Sequence, residues 1–576
     1  MMNNKDAIAN TDREEFKNDG GMSRRSFLAG AGILSAGTAL ALSGCDPSET
    51  ASTSSLNEST ETESAGSTAS AGSRSIDSDD SIWDLGEIGE PIETISAQMV
   101  VVGGGGTGLA AAIQAAELGL NPLVVEKLGS YGGSFIGTEF INAVGSAQQK
   151  ATGVEDSVHD IINDHLIYHH WIPRKAIVES LYTNCANTIE WLEAHGIEFE
   201  FTAGYRNRAL AYDSEGEALR GAHFIKVLSE EAARLGVESL FNTTARKLIV
   251  EDGKIASVLV ENGDGAIIRI ESSAVVIATG GYSNNDPFLR AVSANENASI
   301  QALGMDCRHA DGIKMAADAG AAMAEGLGTI QWCGPVVLGA ITSSWQTDAY
   351  AVGVQPTVWL NQDAQRFVRE DLWSENFSGA GISVRNQKRT YVLFTETDME
   401  HWESIGTYFS VFGFGATDKP IRDARATLTA CDACHIGDTL DEVATATGLD
   451  IATLKTTIER YNGFCAAAEN ADDDDDTADQ DFGKKARYLR PVAEGPYWLC
   501  EVGNGFFATH GGIKINERTE VLDENGDVII GLYAGGCDAG GIQGDSYDVM
   551  YAGGSTSGWA INTGRNAAKS IAEFLT

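Results

Sequence analysis

The stretch from Met99 to Glu126 constrains this chain more than any other. Met99 to Val102 is an apolar run that reads as a buried strand. Gly103, Gly105 and Gly108 then spell GxGxxG, and a small-residue helix follows over Leu109 to Leu118. A second apolar run, Leu123 to Val125, ends on Glu126. In that order these pieces form a dinucleotide fingerprint. The glycines make a tight turn, let backbone approach a pyrophosphate and let helix pack close on strand. The helix N-terminus faces phosphate, and the acid ending the second strand accepts a ribose hydroxyl. A glycine-rich turn with no ligand would leave Glu126 without a role.

The 576 residues suffice for two or more domains, and 43% hydrophobic with 21% charged residues is ordinary for a folded protein. The formal net charge of -42 is not ordinary. It repels nucleic acid and anionic lipid, so neither is an expected partner. The acidic run Asp472 to Asp476 lacks calcium-loop spacing and reads as a solvated loop.

Residues 1–45 read as an address. Ser23-Arg24-Arg25-Ser26-Phe27-Leu28 is a twin-arginine signature, and a glycine-rich apolar stretch from Leu28 to Leu42 follows it. Leu42-Ser43-Gly44-Cys45 resembles a bacterial lipobox, with lipid attached at Cys45 and ordinary cleavage as the alternative. The twin-arginine route resembles one taken by proteins exported already folded, which agrees with a nucleotide bound before export. The expectation is the extracytoplasmic face of a bacterial membrane. Asp46 to Asp80, rich in Ser, Thr, Ala and Glu without apolar periodicity, reads as a disordered tether, and the linker as a whole is set at 46–95.

The nine cysteines show no even disulfide framework. Cys431-Asp432-Ala433-Cys434-His435 matches the CxxCH of c-type haem attachment. Haem is disfavoured there, because the segment sits inside a globular region and because attachment needs an unfolded chain; two small, partly buried cysteines are the plainer reading. His165 and His169 lie four apart on a helix beside His170. With no third ligand apparent they read as surface or packing histidines, and no metal is expected.

Distant motifs decide which nucleotide. Ser130-Tyr131-Gly132-Gly133-Ser134 follows Lys127. Ala274 to Tyr282 (AVVIATGGY) and Val528 to Gly536 (VIIGLYAGG) each read as a buried strand ending in a glycine turn, and Gly553-Gly554-Ser555-Thr556 opens a final helix to about Phe574. His309-Ala310-Asp311-Gly312-Ile313 and Asn361 with Arg366-Phe367-Val368-Arg369-Glu370 complete the set. Together they resemble the FAD-binding fold of the fumarate reductase and succinate dehydrogenase flavoprotein family, which includes urocanate reductases and 3-ketosteroid dehydrogenases. The resemblance spans roughly residues 96 to 576.

It implies an α/β fold: a Rossmann-like FAD-binding domain in two parts, 96–327 and 508–576, with an inserted α+β capping domain at 328–507. It implies FAD held by Gly103, Gly105, Gly106, Thr107, Gly108, Glu126, Lys127, Gly132, Gly133, Ser134, Ala245, Thr279, Gly280, Gly281, Cys537, Asp538, Ser555 and Thr556. Members with covalent FAD carry a histidine shortly after the glycine pair. Ser134-Phe135-Ile136-Gly137 offers none, so the FAD is expected to be non-covalent. The family reaction passes hydride from flavin N5 to one carbon of an activated double bond while a positioned acid protonates its neighbour.

The departures from that family set the expected substrate. The proton-donating cap arginine falls on Ser374 and the carboxylate-binding histidine on Cys333, after Gln331 and Trp332. The relay glutamate and arginine fall near Tyr350 and Gly353, the late histidine pair on Phe507 and Ala508, and the C-terminal arginine near Tyr547. Trp332, Tyr350, Trp373, Phe507, Tyr547 and Tyr551 stand in or beside these places. A dicarboxylate is therefore not the expected substrate; a flatter aromatic, enone or enoate is. The expected proton donor is Tyr350, then Tyr547, then Ser374 helped by Glu375. Arg206, Arg208 and His223 border the pocket in relatives but are equally explained as structural polar residues.

The whole reads as an exported FAD-dependent reductase of activated C=C bonds, serving anaerobic respiration. Its electrons would come from a partner: a membrane quinol dehydrogenase, a cytochrome or an FMN protein. The alternatives are a dehydrogenase running in the oxidative direction and a non-catalytic flavin lipoprotein.

Overall fold

Two sheets place the site between them. The computed structural model describes residues 80–576 apart from 155, 202–207, 213–219, 294, 296, 298, 341–347, 410, 412–419 and 550. The twin-arginine segment, Cys45, the tether to residue 79 and Arg206 lie outside the described residues.

The larger sheet has ten strands. Val528–Ala534, Val275–Ile277, Met99–Val102, Pro122–Val125 and, at the edge, Glu238–Leu240 run parallel in that order. The strands Met99–Val102, Pro122–Val125 and Val275–Ile277 are buried throughout, as a parallel sheet covered on both faces requires. Helix Gly106–Glu117 leaves the first glycine turn, and the last helix, Ser555–Leu575, lies against it. Small residues set that contact: a Cβ on Gly564 would stand 2.2 Å from the Thr107 carbonyl oxygen.

The second, six-stranded sheet carries Thr329–Val337, Val358–Asn361, Thr390–Thr395, Cys434–Gly437 and Ile300–Ala302, gathered around the long strand Tyr497–His510. Helices Phe377–Arg385 and Ile451–Ala467 accompany it. This is the α+β cap, and its strands make the fold the expected α/β one. The long strand runs without a break through the expected cap boundary at 507, so one β-strand joins the two regions.

One expected boundary moves. Glu93–Ser96 is a strand, paired parallel with Ile267–Glu271, and Ile82, Trp83 and Leu85 pack on the main core. The end of the stretch set as linker at 46–95 is thus folded, because Ile82, Trp83, Leu85 and Ile95, beyond its Ser/Thr/Glu-rich part, find partners. Among the described residues no helix is long and apolar enough to cross a membrane.

Candidate active site

Two adjoining cavities, about 900 and 1490 Å³, share Gly133, Ser134, Phe135, Arg308, Ala508, Cys537 and Ala560. The first lies over the fingerprint. A Cβ on Gly103 would meet the Ala278 oxygen at 2.2 Å, and one on Gly108 the Gly103 oxygen at 1.8 Å. Those two glycines therefore let strand, turn and helix close on each other. Gly105 and Gly133 differ: a Cβ there would meet only single atoms at 3.6 and 4.0 Å, so it would project into the cavity itself. The two walls are tied together, since Gly132 N–H donates to the Gly104 carbonyl at 3.0 Å. The Glu126 carboxylate accepts from Gly104 N–H at 2.6 Å and Leu128 N–H at 2.7 Å, which pins it at the cavity's edge. Lys127 pairs with Asp311 at 2.8 Å on the same rim.

Both helices that open on these cavities start without a side-chain cap. Helix Gly106–Glu117 follows Gly105, and Ser555–Leu575 follows Gly554 at φ 73°. The first amides of Gly106–Glu117 therefore remain for an anion, whereas at the last helix Ser555 N–H donates to the Ala552 carbonyl at 3.1 Å and Thr556 N–H faces the Tyr547 hydroxyl, where a developing negative charge is stabilised. An uncapped helix over a glycine cradle, with an acid across the turn, fits the pyrophosphate and ribose of a dinucleotide. A second uncapped helix fits the electron-rich end of a flavin.

Of the expected cofactor residues, Gly103, Gly105, Gly106, Thr107, Glu126, Lys127, Gly133, Ser134, Ala245, Thr279, Gly280 and Cys537 line the first cavity, and Thr556 lines the second. Gly108, Gly132, Gly281, Asp538 and Ser555 stand behind the walls. Asp538 is fully buried, and its carboxylate accepts from the backbone N–H of Thr279, Gly280 (3.1 Å) and Gly281 (3.0 Å) and from the Thr279 hydroxyl (3.0 Å). It shapes the 279–281 turn. Burial outweighs these four donors and raises its carboxyl to about 6.

The second cavity is bounded by Phe377, Phe507, Leu303, Met305, Tyr547 and Val549, with Gln331 and the head of the last helix. Among the described residues its ionisable side chains other than Tyr547 and Cys537 are Glu139 and Arg308. Tyr547 is 5% exposed, and its hydroxyl lies against the Ser555 and Thr556 hydroxyls and the Thr556 N–H. Burial nevertheless holds its pKa above the usual tyrosine value. His510 stacks parallel on the Tyr547 ring at 5.6 Å, its Nε2 3.4 Å from the Thr556 hydroxyl. Burial pushes His510 down to about 3, so the imidazole is neutral.

The other proton-donor candidates lie elsewhere. Tyr350 is 1% exposed in the cap core and donates to the Cys333 carbonyl at 3.0 Å. Trp373 donates to the same oxygen at 2.7 Å. Ser374 is exposed and donates to the Asp371 carbonyl, and Glu375 pairs with Arg369 and Lys485. None of the four lines either cavity. Trp332 packs on Phe506. Of the expected aromatic set, Phe507 and Tyr547 face the cavity, and Phe377 joins them unforeseen.

Arg308 was not foreseen either. It is 1% exposed, lines both cavities, and donates to Asn284 Oδ1 at 2.9 Å, the Phe507 carbonyl at 2.6 Å and the Leu303 carbonyl at 3.0 Å. Burial lowers its pKa. Among the described residues no carboxylate pairs with it. Arg208 is buried and structural, bonded to Asp156 (2.7 Å), Asp164 (3.3 Å) and the Tyr551 carbonyl (2.8 Å). His223 sits half-buried in helix Arg220–Arg234, away from both linings.

His165 and His169 are buried, with Asp548 close enough that one ligand-type atom from each lies within 4.8 Å of the others. Their rings serve the backbone. His165 Nε2–H donates to the Ile542 carbonyl at 2.6 Å, and His169 Nδ1 accepts from Gly544 N–H at 3.2 Å. Burial pushes His165 down to about 4 and lowers His169 as well. Two neutral histidines thus hold the turn that leads to Tyr547.

A fold with a dinucleotide cradle, a cap sheet and a cavity between them defines a flavin-dependent oxidoreductase. Comparison with known proteins agrees. Residues 98–557 match the FAD binding domain family, and the chain belongs to that family. It is 31% identical over 494 residues to vinyl phenol reductase of Lactiplantibacillus plantarum, covering 83% of this chain and 97% of that one. It is 27% identical over 464 residues to urocanate reductase of Eggerthella lenta, covering 78% and 70%. Among solved structures, the open conformation of a flavocytochrome c3 fumarate reductase superposes with TM-score 0.63 at 25% identity, covering 84% of this chain and 79% of that one. The protein is accordingly an FAD-dependent oxidoreductase of the fumarate reductase type.

Proposed function

We propose that this protein is an exported reductase that saturates a C=C bond conjugated to an aromatic ring, carbonyl or carboxyl group, with vinyl-phenol-like aromatics the favoured class. The observation that carries the reading is Tyr547: a protonated phenol in an aromatic cavity, with its oxygen at the head of the last helix. The similarity to vinyl phenol reductase supports it. So does a cavity whose one arginine among the described residues is already engaged by three oxygens, which leaves no free cation among them to grip a dicarboxylate.

The fingerprint turn, Glu126, Ser134, the 279–281 turn and the head of the last helix would hold FAD non-covalently. When bound, FAD supplies the hydride. The remaining chemistry belongs to the chain. Tyr547 is protonated at neutral pH, because burial raises its pKa, and it gives that proton to the substrate carbon beside the reduced one. The negative charge left on its oxygen meets the Ser555 and Thr556 hydroxyls and the Thr556 N–H at a helix N-terminus, where such charge is stabilised. His510 fixes the phenol plane by stacking. Phe377 and Phe507, edge to face at 6.0 Å, wall off water.

In this reading residues 328–507 cap the cavity between the FAD-binding parts 96–327 and 508–576. The twin-arginine segment directs export, Cys45 carries a lipid anchor, and residues 46–79 tether the folded part to the membrane. A quinol dehydrogenase, cytochrome or FMN protein delivers electrons for anaerobic respiration.

The test is anaerobic turnover of a vinyl phenol with reduced viologen. Tyr547→Phe should lower kcat by about 10²–10⁴-fold at unchanged flavin content, as expected for loss of a general acid. Tyr350→Phe should stay within a few-fold of wild type. Full turnover by Tyr547→Phe overturns the assignment.

A further inference from the structure

The CxxCH segment meets a third cysteine at the edge of the cap sheet. Cys434 N–H donates to the Cys431 carbonyl at 3.0 Å and closes a tight turn. Strand Cys434–Gly437 then pairs antiparallel with the long strand, setting Cys434 opposite Cys500. Glu501 N–H donates to the Ala433 carbonyl at 2.8 Å, which makes 433/501 the hydrogen-bonded pair and 434/500 the narrow pair beside it. At a narrow pair the side chains share a face and the Cα atoms stand about 4.5 Å apart. That lies within the about 4.4–6.8 Å a disulfide spans. The Cys434 thiol is within hydrogen-bonding reach of both Cys431 and Cys500. All three are free thiols; Cys431 and Cys434 are partly exposed and Cys500 is buried. Cys431 is held in place from the other side, its thiol donating to the Leu338 carbonyl at 2.6 Å.

We propose that Cys431, Cys434 and Cys500 form a thiol–disulfide exchange site, with Cys434 as the shared sulfur and a low-molecular-weight disulfide as oxidant. The Cys434 thiolate attacks one sulfur of that disulfide and releases one thiolate. Cys500, on losing its proton, attacks the mixed disulfide at Cys434, forms the Cys434–Cys500 bond and releases the second thiolate. In sum two protein thiols are oxidised and one small disulfide is reduced to two thiols, which take up the two protons. Cys431 can then attack Cys434 and free Cys500, an exchange that moves the bond with no net electron transfer. Burial raises the Cys431 and Cys500 pKa values, so these steps accelerate with pH.

The experiment is thiol alkylation with peptide mass mapping of the full-length holoprotein, after dithiothreitol or after glutathione disulfide. Oxidation should remove two alkylatable thiols and yield one cross-link containing Cys434, reversed by dithiothreitol. The closing attack by Cys500 should quicken as pH rises, because burial holds its thiol in the protonated form. Cys434→Ser should abolish the cross-link, Cys500→Ser should leave only Cys431–Cys434, and Cys431→Ser only Cys434–Cys500. Retained flavin absorbance shows that each variant is folded, and Cys431→Ser, at a partly exposed position, secures the test if Cys500→Ser does not fold. Full alkylation of Cys434 at millimolar glutathione disulfide overturns the proposal. So does a haem covalently attached at Cys431 and Cys434.

Discussion

Replacing Asp538 by asparagine separates two opposing effects of its burial. The carboxylate receives three backbone N–H groups and one hydroxyl, and an amide offers a single oxygen to the same four donors. Two donors lose their acceptor, at about 1–3 kcal/mol for each buried unsatisfied group. Against this, the variant no longer buries a charge. The folded carboxyl titrates at about 6 against 3.8 in the reference state, so the folded protein binds this proton more tightly. Its stabilising effect is complete below pH 3.8 and is lost as pH rises through 6. The difference of 2.2 pH units, at 1.36 kcal/mol each, is about 3 kcal/mol in all, of which about 1.4 falls between pH 5 and 8. Asparagine lacks this slope, while every other titrating group is common to both proteins. Urea unfolding at the two pH values should therefore show a stability gap between wild type and Asp538→Asn that favours wild type by about 1.4 kcal/mol more at pH 5 than at pH 8. A gap that is independent of pH, or wider at pH 8, refutes the reasoning.

Arg308→Met removes the donor to three oxygens, two of them on residues that bound the cavity. It should lower the melting temperature and weaken flavin retention, read as flavin absorbance after gel filtration. Gly108→Ala forces a methyl group against the Gly103 carbonyl at 1.8 Å, with only backbone to yield; protein purified without flavin is the expected outcome. Gly463→Ala, in a helix interior with nothing within 4 Å of the new Cβ, should instead raise stability by about 0.5–1 kcal/mol in thermal unfolding.

The cofactor half of the site was legible because its signals are local. Strand, glycine turn, helix and acid lie within 28 residues, and Gly108 answers a contact with Gly103 in the same turn. The substrate half was not, because a motif gives position along the chain and not the direction a side chain faces. Gln331 faces the cavity while Trp332 turns under Phe506, and Phe507 faces it while Phe506 does not; register shifts around Trp332 add to the alternation. Tyr350 ranked first as donor on motif position, yet Cys333 draws its hydroxyl into the cap core. Arg308 had no sequence signal, since its acceptors come from residues 284, 303 and 507. His510 had no sequence signal either, and only the fold shows it stacked on Tyr547.

The most direct test of the central claim is the anaerobic reoxidation rate of the dithionite-reduced holoprotein, with a vinyl phenol and with fumarate in parallel. An aromatic cavity with no free cation among its described residues predicts rapid bleaching reversal by the vinyl phenol and none by fumarate. Reoxidation by fumarate alone contradicts it.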